Sequence, residues 1–500
     1  MKQKFSTAYA QLEGIFEEYY YLKSIYSLLQ WDQATYMPVA AYKLRAKQLF
    51  VMQSAMQQLF NTDSLQKLIE SAFSKISALN AIQQANLHKM LHIWQLKTAI
   101  PLTLHKKITQ ATTKAEIVWR QAKKNNDFLT FQPEFSEVIK LTIEKAHYLA
   151  EVLQVSLYDA LLQEYDPGNG TKNFEPIFTQ LENQLPPLVQ QIIDFQKGSI
   201  GSYPAIKMHK ELQHVICAQV ATDLGFDLKR GRLDTSAHPF TEGVRNDIRI
   251  TTHYKTNNFM YGLLATSHEC GHALYDANLP KELYTQPVGY DLGMLVHEAS
   301  ALFYENCITR NPAFARYLAK LCQQKQANVS EQQIAANLFK IEPTLIRLES
   351  DEVTYIPHII LRYRIEKQLI EGVIKVDDIP VLWHDYCLKL LGSAPINQQQ
   401  GCLQDIHWAL GSFGYFPSYA QGAMLSSNLY GYCFKNHLTQ VEIFTKTEFE
   451  NILHTLVQYV FTHGSRKPLL DYLNALPFDA FSSDNYLTYL RDKYLTHNRM

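Results

Sequence analysis

Residues Phe5 to Leu29 read FSTAYAQLEGIFEEYYYLKSIYSLL, with apolar side chains at Phe5, Tyr9, Leu12, Phe16, Tyr19, Leu22, Ile25 and Leu29. Steps of three and four predict a helix with one buried stripe, and that reading sets the expectation for the rest of the chain. After Trp31-Asp32 comes a break at Met37-Pro38. Helical spacing then resumes through Leu44, Leu49 and Met52, through Leu65 to Leu104 with Pro101 as punctuation, and over 116–123 and 135–158. Pro133 and the turn Asp166-Pro167-Gly168-Asn169-Gly170 are read as separators. Further helices are expected over 295–308, behind the capping box Ser330-Glu331-Gln332-Gln333, and over 344–371 with Pro357 kinking or dividing the last. The stretches 401–408 and 414–419 are rich in residues that favour loops.

Length alone would allow two or three domains. No Gly/Ser-rich or Pro-rich linker divides the chain, however, and no internal repeat is visible. Twenty glycines in 500 residues fall below the usual ~7%. The expectation is a mainly α protein, one domain over residues 1–500, folded as two lobes around a deep cleft.

One region departs from helical spacing. Within 232–259, Ile248, Ile250, Thr252 and Tyr254 alternate with Asp247, Arg249, Thr251 and His253. That is a strand with an apolar back and a polar front. His238-Pro239-Phe240 followed by Gly243 predicts a turn or hairpin leading into it.

Directly after this β element lies Thr266 to Asp276, TSHECGHALYD, with the pattern H-E-x-x-H at His268, Glu269 and His272. On a helix, a spacing of four places both imidazoles on one face, where they can converge on one metal ion. The intervening glutamate is rotated to the side, free to act on a water without displacing the metal. Gly271 weakens such a helix for no reason legible in the sequence, and Cys270 reads as a small packing residue. Catalytic zinc needs a third protein ligand. Glu298 is the first candidate and Glu305, further along the same predicted helix, is the second, as ligand or as hydrogen-bond partner of a ligand. His297 or Asp276 could orient His268 or His272 through a free ring nitrogen.

Composition narrows the alternatives. Lys+Arg number 47 against 48 Asp+Glu, which argues against nucleic acid or an anionic membrane as principal partner. Lys229, Arg230 and Arg232 are too short a basic run to change that. Seven scattered cysteines without a C-x-x-C pair imply reduced thiols and a cytoplasmic setting. The N-terminus lacks a signal-like apolar core, and no run of ~18 apolar residues offers a membrane span.

Taken together, the motifs resemble the carboxypeptidase Taq family of zinc or cobalt metallocarboxypeptidases, over nearly the whole length. Asp247-Ile248-Arg249-Ile250-Thr251 is similar to the family's D-x-R-x-T, and His238-Pro239-Phe240 to its H-P-F. His297-Glu298-Ala299 resembles H-E-S, Ile346 to Asp351 resembles I-R-x-x-A-D, and Gly401 to Trp408 resembles G-x-x-Q-D-x-H-W, followed by G-Y-F-P-S-Y. Trp31-Asp32-Gln33 and Met37-Pro38 are also similar. Ala299 and Ser350 depart from the family pattern, as does the glycine-free run after Pro38.

The resemblance implies His268, His272 and Glu298 as metal ligands, Glu269 as general base, and zinc, with cobalt possible, as the metal. It also implies a homodimer that releases single C-terminal amino acids with broad specificity from peptides with a free C-terminus. Oxyanion donors are expected among Tyr419, His238 and Tyr415, with Tyr419 first because a phenol donates without carrying charge. A free C-terminal carboxylate calls for a guanidinium: Arg347 first, Arg249 second. Each has an alternative as a structural ion pair, Arg347 with Glu349 or Asp351 and Arg249 with Asp247. His407 is expected either to contact substrate or to be structural. The competing readings are an oligopeptidase that cuts internally and a helical scaffold with a relict site.

Overall fold

The computed structural model describes residues 7–199 and 203–496. Phe5 lies outside the described residues. The first helix, Ala8–Thr35, starts where the Thr7 hydroxyl accepts a hydrogen bond from Ala10 N. It buries Tyr9, Leu12, Phe16 and Tyr19, as the periodicity predicts. Beyond Tyr19 the stripe fails: Ile25 is exposed, while Ser27 and Trp31 are buried. Steps averaging under 3.6 residues drift around a straight helix, so the later apolar positions rotate off the packed face.

Tyr9, Leu12, Phe16 and Tyr19 pack with Phe60, Leu65, Ile69, Leu87 and Met90 into a core of their own. Burying a side chain such as Leu12 or Phe16 contributes about 1.5–3 kcal/mol. The partners come from helices Tyr42–Phe60, Asp63–Phe73 and Ala81–Thr98, the last opened by a capping box between Asn80 and Gln83. Buried Asn86 joins this core to the rest. Its amide donates to Tyr9 Oη (3.0 Å) and Gln286 Oε1 (3.1 Å), and its Oδ1 accepts from Val288 N (3.1 Å).

The β element precedes the motif helix as expected. Strands β1 (Gly231–Thr235), β2 (Thr241–Val244) and β3 (Asp247–Thr252) form one sheet in the order β1-β3-β2. Strand β3 is parallel to β1 and antiparallel to β2. The β2–β3 hairpin turns at Arg245-Asn246, with Asn246 at φ 68, rather than over 238–243. Ile248, Ile250, Thr252 and Tyr254 are buried on the predicted face. Thr251 is buried too, against expectation, because its hydroxyl is satisfied there by Phe240 N (3.0 Å) and Ser236 Oγ (2.8 Å).

Several predicted boundaries move. Pro133 sits inside helix Phe128–Leu153. The carbonyl it leaves without an N–H partner belongs to Leu129, which is exposed, so water can satisfy it. Residues 344–350 are not helical apart from a short 3-10 turn, Arg347–Glu349. The long helix starts at Glu352, where Asp351 Oδ1 caps Val353 N and Thr354 N, and it carries Pro357 within it. The loop after Gly401 ends at Tyr415, and Phe416–Cys433 is a helix with Pro417 in its first turn. The segment expected as one helix over 295–308 is α-helical from Met294 to Leu302 and π-helical from Phe303 to Thr309. The capping box at Ser330 and Gln333 is present as predicted. A larger second core runs from Ala115 to Tyr494 and encloses the motif helix. No helix among the described residues is long and apolar enough to cross a membrane.

Candidate metal centre and substrate site

The motif helix spans Phe259–Asn278 and is capped by Asn258, whose Oδ1 accepts from Tyr261 N. His268 and His272 lie one turn apart on it, ring centroids 4.9 Å apart and planes at 82°. Facing them, the Met294–Leu302 helix presents Glu298, whose Oε2 is 3.8 Å from His268 Nε2 and 3.6 Å from His272 Nε2. Two glycines allow this approach. A Cβ on Gly271 would stand 2.4 Å from the Ser300 carbonyl oxygen and 2.5 Å from Ala301 Cα. On the opposite side, a Cβ on Gly422 would lie 3.1 Å from both Glu298 Cβ and Ala299 N. Gly271 therefore trades helix propensity for close packing of the helix bearing His268 and His272 on the helix bearing Glu298. The turn at 166–170 fixes the start of the second helix: Asp166 Oδ1 accepts from Leu295 N (2.8 Å) and its Oδ2 from Ser418 Oγ (2.6 Å).

One ligand atom from each of His268, His272 and Glu298 lies within 4.8 Å of the others. A tetrahedral ion with arms of ~2.0–2.2 Å separates its ligand atoms by roughly 3.3–3.6 Å, close to the 3.8 and 3.6 Å that separate Glu298 Oε2 from the two imidazole nitrogens. Their electrostatics suit a cation. Burial pushes the His268 imidazole down, but Glu298 and Glu305 outweigh it and carry its pKa up to about 10. Burial raises the Glu298 carboxyl, with His268 opposing. His272 is pushed well down, by burial first and by His297 and His268 after it.

The partner that orients His268 is Glu305, whose Oε2 stands 2.9 Å from Nδ1. Glu305 lies on the π-helical turn and is not among the clustered ligand atoms. Burial raises its carboxyl, but the His268 hydrogen bond and charge outweigh that and bring it below its ordinary value. Asp276 and His297 act differently from expectation. They bond to each other (3.1 Å), and the His297 ring stacks on His272 with centroids 4.4 Å apart. Together they pack against the His272 ring, and the His297 backbone also acts on the His272 imidazole as a hydrogen-bond partner.

Glu269 is buried, and its Oε2 accepts from Thr241 Oγ1 at 2.6 Å. Burial raises its pKa, with His268 opposing. Tyr355 Oη lies 3.4 Å from Glu298 Oε1. From there an aromatic path leads to the proposed carboxylate site: the Tyr355 and Tyr419 rings are 6.2 Å apart, and the Arg347 guanidinium carbon is 5.6 Å from the Tyr419 ring centre. Arg347 does not pair with Glu349 or Asp351. Its Nε and Nη2 hold Asp405 Oδ1 at 3.0 and 2.9 Å, because Asp351 is occupied as a helix cap. Arg362 takes the other oxygen of Asp405, from Nε at 2.6 Å. Burial would raise Asp405, but Arg362 and Arg347 hold its carboxyl far below the usual range. Two guanidinium groups thus share one carboxylate beside Tyr419 and Phe416, with the buried Glu366 carboxyl also acting on Arg362.

Of the remaining predicted residues, Tyr415 lies against Tyr419 (4.8 Å between rings) and His407 stacks on Tyr415 (5.8 Å). Burial, with Asp405 opposing and both arginines adding to it, lowers His407 to about 4. Arg249 makes the ion pair with Asp247, Nε to Oδ1 at 2.8 Å and Nη2 to Oδ2 at 2.9 Å, and lies 4.3 Å from the Trp31 ring centre. His238 is exposed, and its imidazole makes no hydrogen bond or ion pair among the described residues. Neither is brought into contact with the metal cluster. Conversely, Thr241, Tyr355, Asp405, Arg362 and Asp166 received no role from sequence reasoning. Thr241 follows the quoted His238-Pro239-Phe240 and Asp405 lies inside the quoted 401–408, so position was the available signal.

The profile of the family described as Carboxypeptidase Taq (M32) metallopeptidase matches residues 11–494. Carboxypeptidase 1 of Bacillus subtilis is 31% identical over 473 residues, 94% of this chain and 94% of that protein. Thermostable carboxypeptidase 1 of Thermus thermophilus is 31% identical over 501 residues, 97% of this chain and 98% of that one. Among solved structures, Trypanosoma cruzi metallocarboxypeptidase 1 superposes with a TM-score of 0.93 at 31% identity, covering 98% of this chain and 99% of that one. A Pyrococcus furiosus carboxypeptidase gives 0.91 at 29% identity, over 98% of this chain and 99% of that one.

Proposed function

The chain belongs to the carboxypeptidase Taq (M32) metallopeptidase family, and from that premise we propose that it removes single amino acids, with broad specificity, from the free C-termini of peptides. Metal-dependent peptide hydrolysis of the carboxypeptidase type comes with the family. The residues, the metal and the specificity are our reading.

The observation that carries it is a cluster of three side chains that could hold a cation, linked along one line of tyrosines to a separate pair of guanidinium groups. His268, His272 and Glu298 would hold zinc, for which cobalt could substitute. When bound, the metal supplies Lewis acidity that brings a water's pKa from 15.7 toward about 7. Glu269 takes the proton of the attacking water on a carboxylate oxygen and returns it to the leaving amine nitrogen. Its burial raises its proton affinity, which suits a group that must accept and then release a proton. Tyr419 donates its phenolic hydrogen to the developing oxyanion. Burial, with Tyr415 adding to it, holds that phenol well above its ordinary pKa, so it stays a donor. Tyr415 is the alternative donor, since the Tyr355 hydroxyl faces Glu298. Arg347, aligned by Asp405, receives the substrate's terminal carboxylate. His407, neutral between Asp405 and Tyr415, packs this corner rather than reading charge. Arg249, paired with Asp247, and His238, at the surface, are assigned no step. The same reading carries a single domain with the site in a cleft between two lobes, a homodimer and a cytoplasmic setting.

The internal-cutting alternative is disfavoured by the two guanidinium groups of Arg347 and Arg362 gathered beside the tyrosines, which an endopeptidase would not need. Arg347→Ala tests the assignment. Turnover of a free peptide should fall ~10–200-fold, the value of a lost charge-assisted contact of about 1.5–3 kcal/mol. The slower turnover of the C-terminally amidated peptide should change little. Equal losses on both would remove the carboxylate role.

A further inference from the structure

Strand β2 lies beside the motif helix, and its first residue makes a contact that the reaction scheme above leaves unused. Thr241 Oγ1 is 2.6 Å from Glu269 Oε2 and 3.1 Å from the Glu269 main-chain oxygen. We propose that Thr241 is a positioning residue for the general base: its hydroxyl holds Glu269 Oε2 so that Oε1 is left to take the proton from the attacking water. The inference rests on Glu269 being the base.

A threonine hydroxyl has one hydrogen to donate. The shorter contact falls within the ~2.5–2.7 Å range of an O–H donor on a carboxylate, whereas 3.1 Å is longer than a strong bond of this type, so the hydrogen goes to the side chain. Glu269 Oε1 has no hydrogen-bond partner among the described residues. A glutamate side chain turns about three torsions, and without a fixed partner its carboxylate samples several orientations. One donor on one oxygen removes that freedom and leaves the other oxygen free.

Thr241 can act as a fixed point because β2 is anchored at both ends. Before it, Phe240 N donates to Thr251 Oγ1 (3.0 Å) and Thr251 N to Phe240 O (2.9 Å). At Thr241 itself the strand pairs with Ile250 of β3, which is fully buried. After it, Ser27 of the first helix donates to Glu242 Oε2 (2.5 Å) and accepts from Gly243 N (3.1 Å). The β element is therefore a brace for the base, which gives a physical reason for a three-stranded sheet beside the motif helix of a mostly helical protein.

The test compares Thr241→Val, Thr241→Ser and Glu269→Gln as metal-loaded full-length chains on one free peptide, with metal content measured for each. Valine keeps the shape and removes the donor, and should lower kcat about 10–100-fold at unchanged KM and unchanged metal content. Serine keeps the donor and should stay close to wild type. In crystals, the Glu269 carboxylate should leave its present orientation in the valine variant and keep it in the serine variant. If Thr241→Val does not fold, Thr241→Cys, with a weak donor of similar size, should show the same loss. Wild-type kcat in Thr241→Val, or a serine variant as impaired as the valine one, overturns the proposal. So does a loss carried by KM or by metal content. Glu269→Gln separates the two levels: near-wild-type turnover there would overturn the base assignment itself. Its inactivation beside an unimpaired Thr241→Val would overturn only the role of Thr241.

Discussion

Gly271→Ala is the sharpest perturbation of the proposed metal site, because it touches no ligand. The added methyl would stand 2.4 Å from the Ser300 carbonyl oxygen, 2.5 Å from Ala301 Cα and 2.9 Å from Ala301 N, all backbone atoms. Ordinary contact begins near 3.4 Å, so the Met294–Leu302 helix must retreat by about 1 Å from the motif helix. Glu298 lies two residues before Ser300 and would move with it, whereas metal–ligand distances tolerate only about 0.2 Å. We expect zinc affinity to fall at least ~10-fold, or about 1.4 kcal/mol. Removing a helical glycine gains up to about 1 kcal/mol, and overpacking costs about 1–3 kcal/mol, so the metal-free protein should be no more stable than wild type and should lose up to about 2 kcal/mol. Gly14→Ala is the control. That helical glycine is exposed with nothing within 4 Å of the added carbon, so it should show only the stabilisation. Zinc titration calorimetry on the metal-free protein and thermal melts read both quantities. If Gly271→Ala binds zinc like wild type and melts higher, as Gly14→Ala should, the close-approach argument is wrong.

Glu305→Gln loses the charge that orients His268 and should weaken metal binding about 10–100-fold in the same titration, while Glu298→Gln should do more. Asp166 gives a pH prediction. Burial raises its pKa from 3.8 to about 6 despite the bonds from Ser418 and Leu295, so the folded state favours the protonated acid. Its contribution to stability is fully present below pH ~4 and is lost as pH rises through ~6. Asp166→Asn can still accept from Leu295 N and can donate to Ser418 Oγ. It should therefore lose this part of the pH dependence and be more stable than wild type at pH 8, by up to about 3 kcal/mol in chemical denaturation. A variant less stable than wild type at pH 8 would show that the buried charge is needed.

Much of the local structure was legible because it depends on neighbours in sequence. The stripe from Tyr9 to Tyr19, the capping box at Ser330 and the alternation through Ile248 and Ile250 all report periodicity or capping chemistry, and the structure keeps them. His268 and His272 share a helix face for the same reason. Glu298 follows from the next helix packing on the first. What escaped depends on partners remote in the chain. Arg347 meets Asp405 because Asp351 is used as a cap, a choice no spacing rule reveals. The role of Gly271 is set by the Ser300 carbonyl, and that of Thr241 by Glu269 across a sheet–helix contact. The start of the long helix at Glu352 was missed because 344–350 has helical composition but its bonds go elsewhere: Arg347 N donates to Gln404 Oε1.

In the proposed reaction one metal centre and one guanidinium together read and cut a free C-terminus. Metal-loaded protein is incubated with a peptide of mixed sequence and with its C-terminally amidated twin, and products are followed by mass over time. The free peptide should show a ladder of single-residue losses from its C-terminus, with the amidated twin cut far more slowly. Internal fragments from both peptides at similar rates would contradict it in favour of an endopeptidase, and two intact peptides would contradict it in favour of an inactive scaffold.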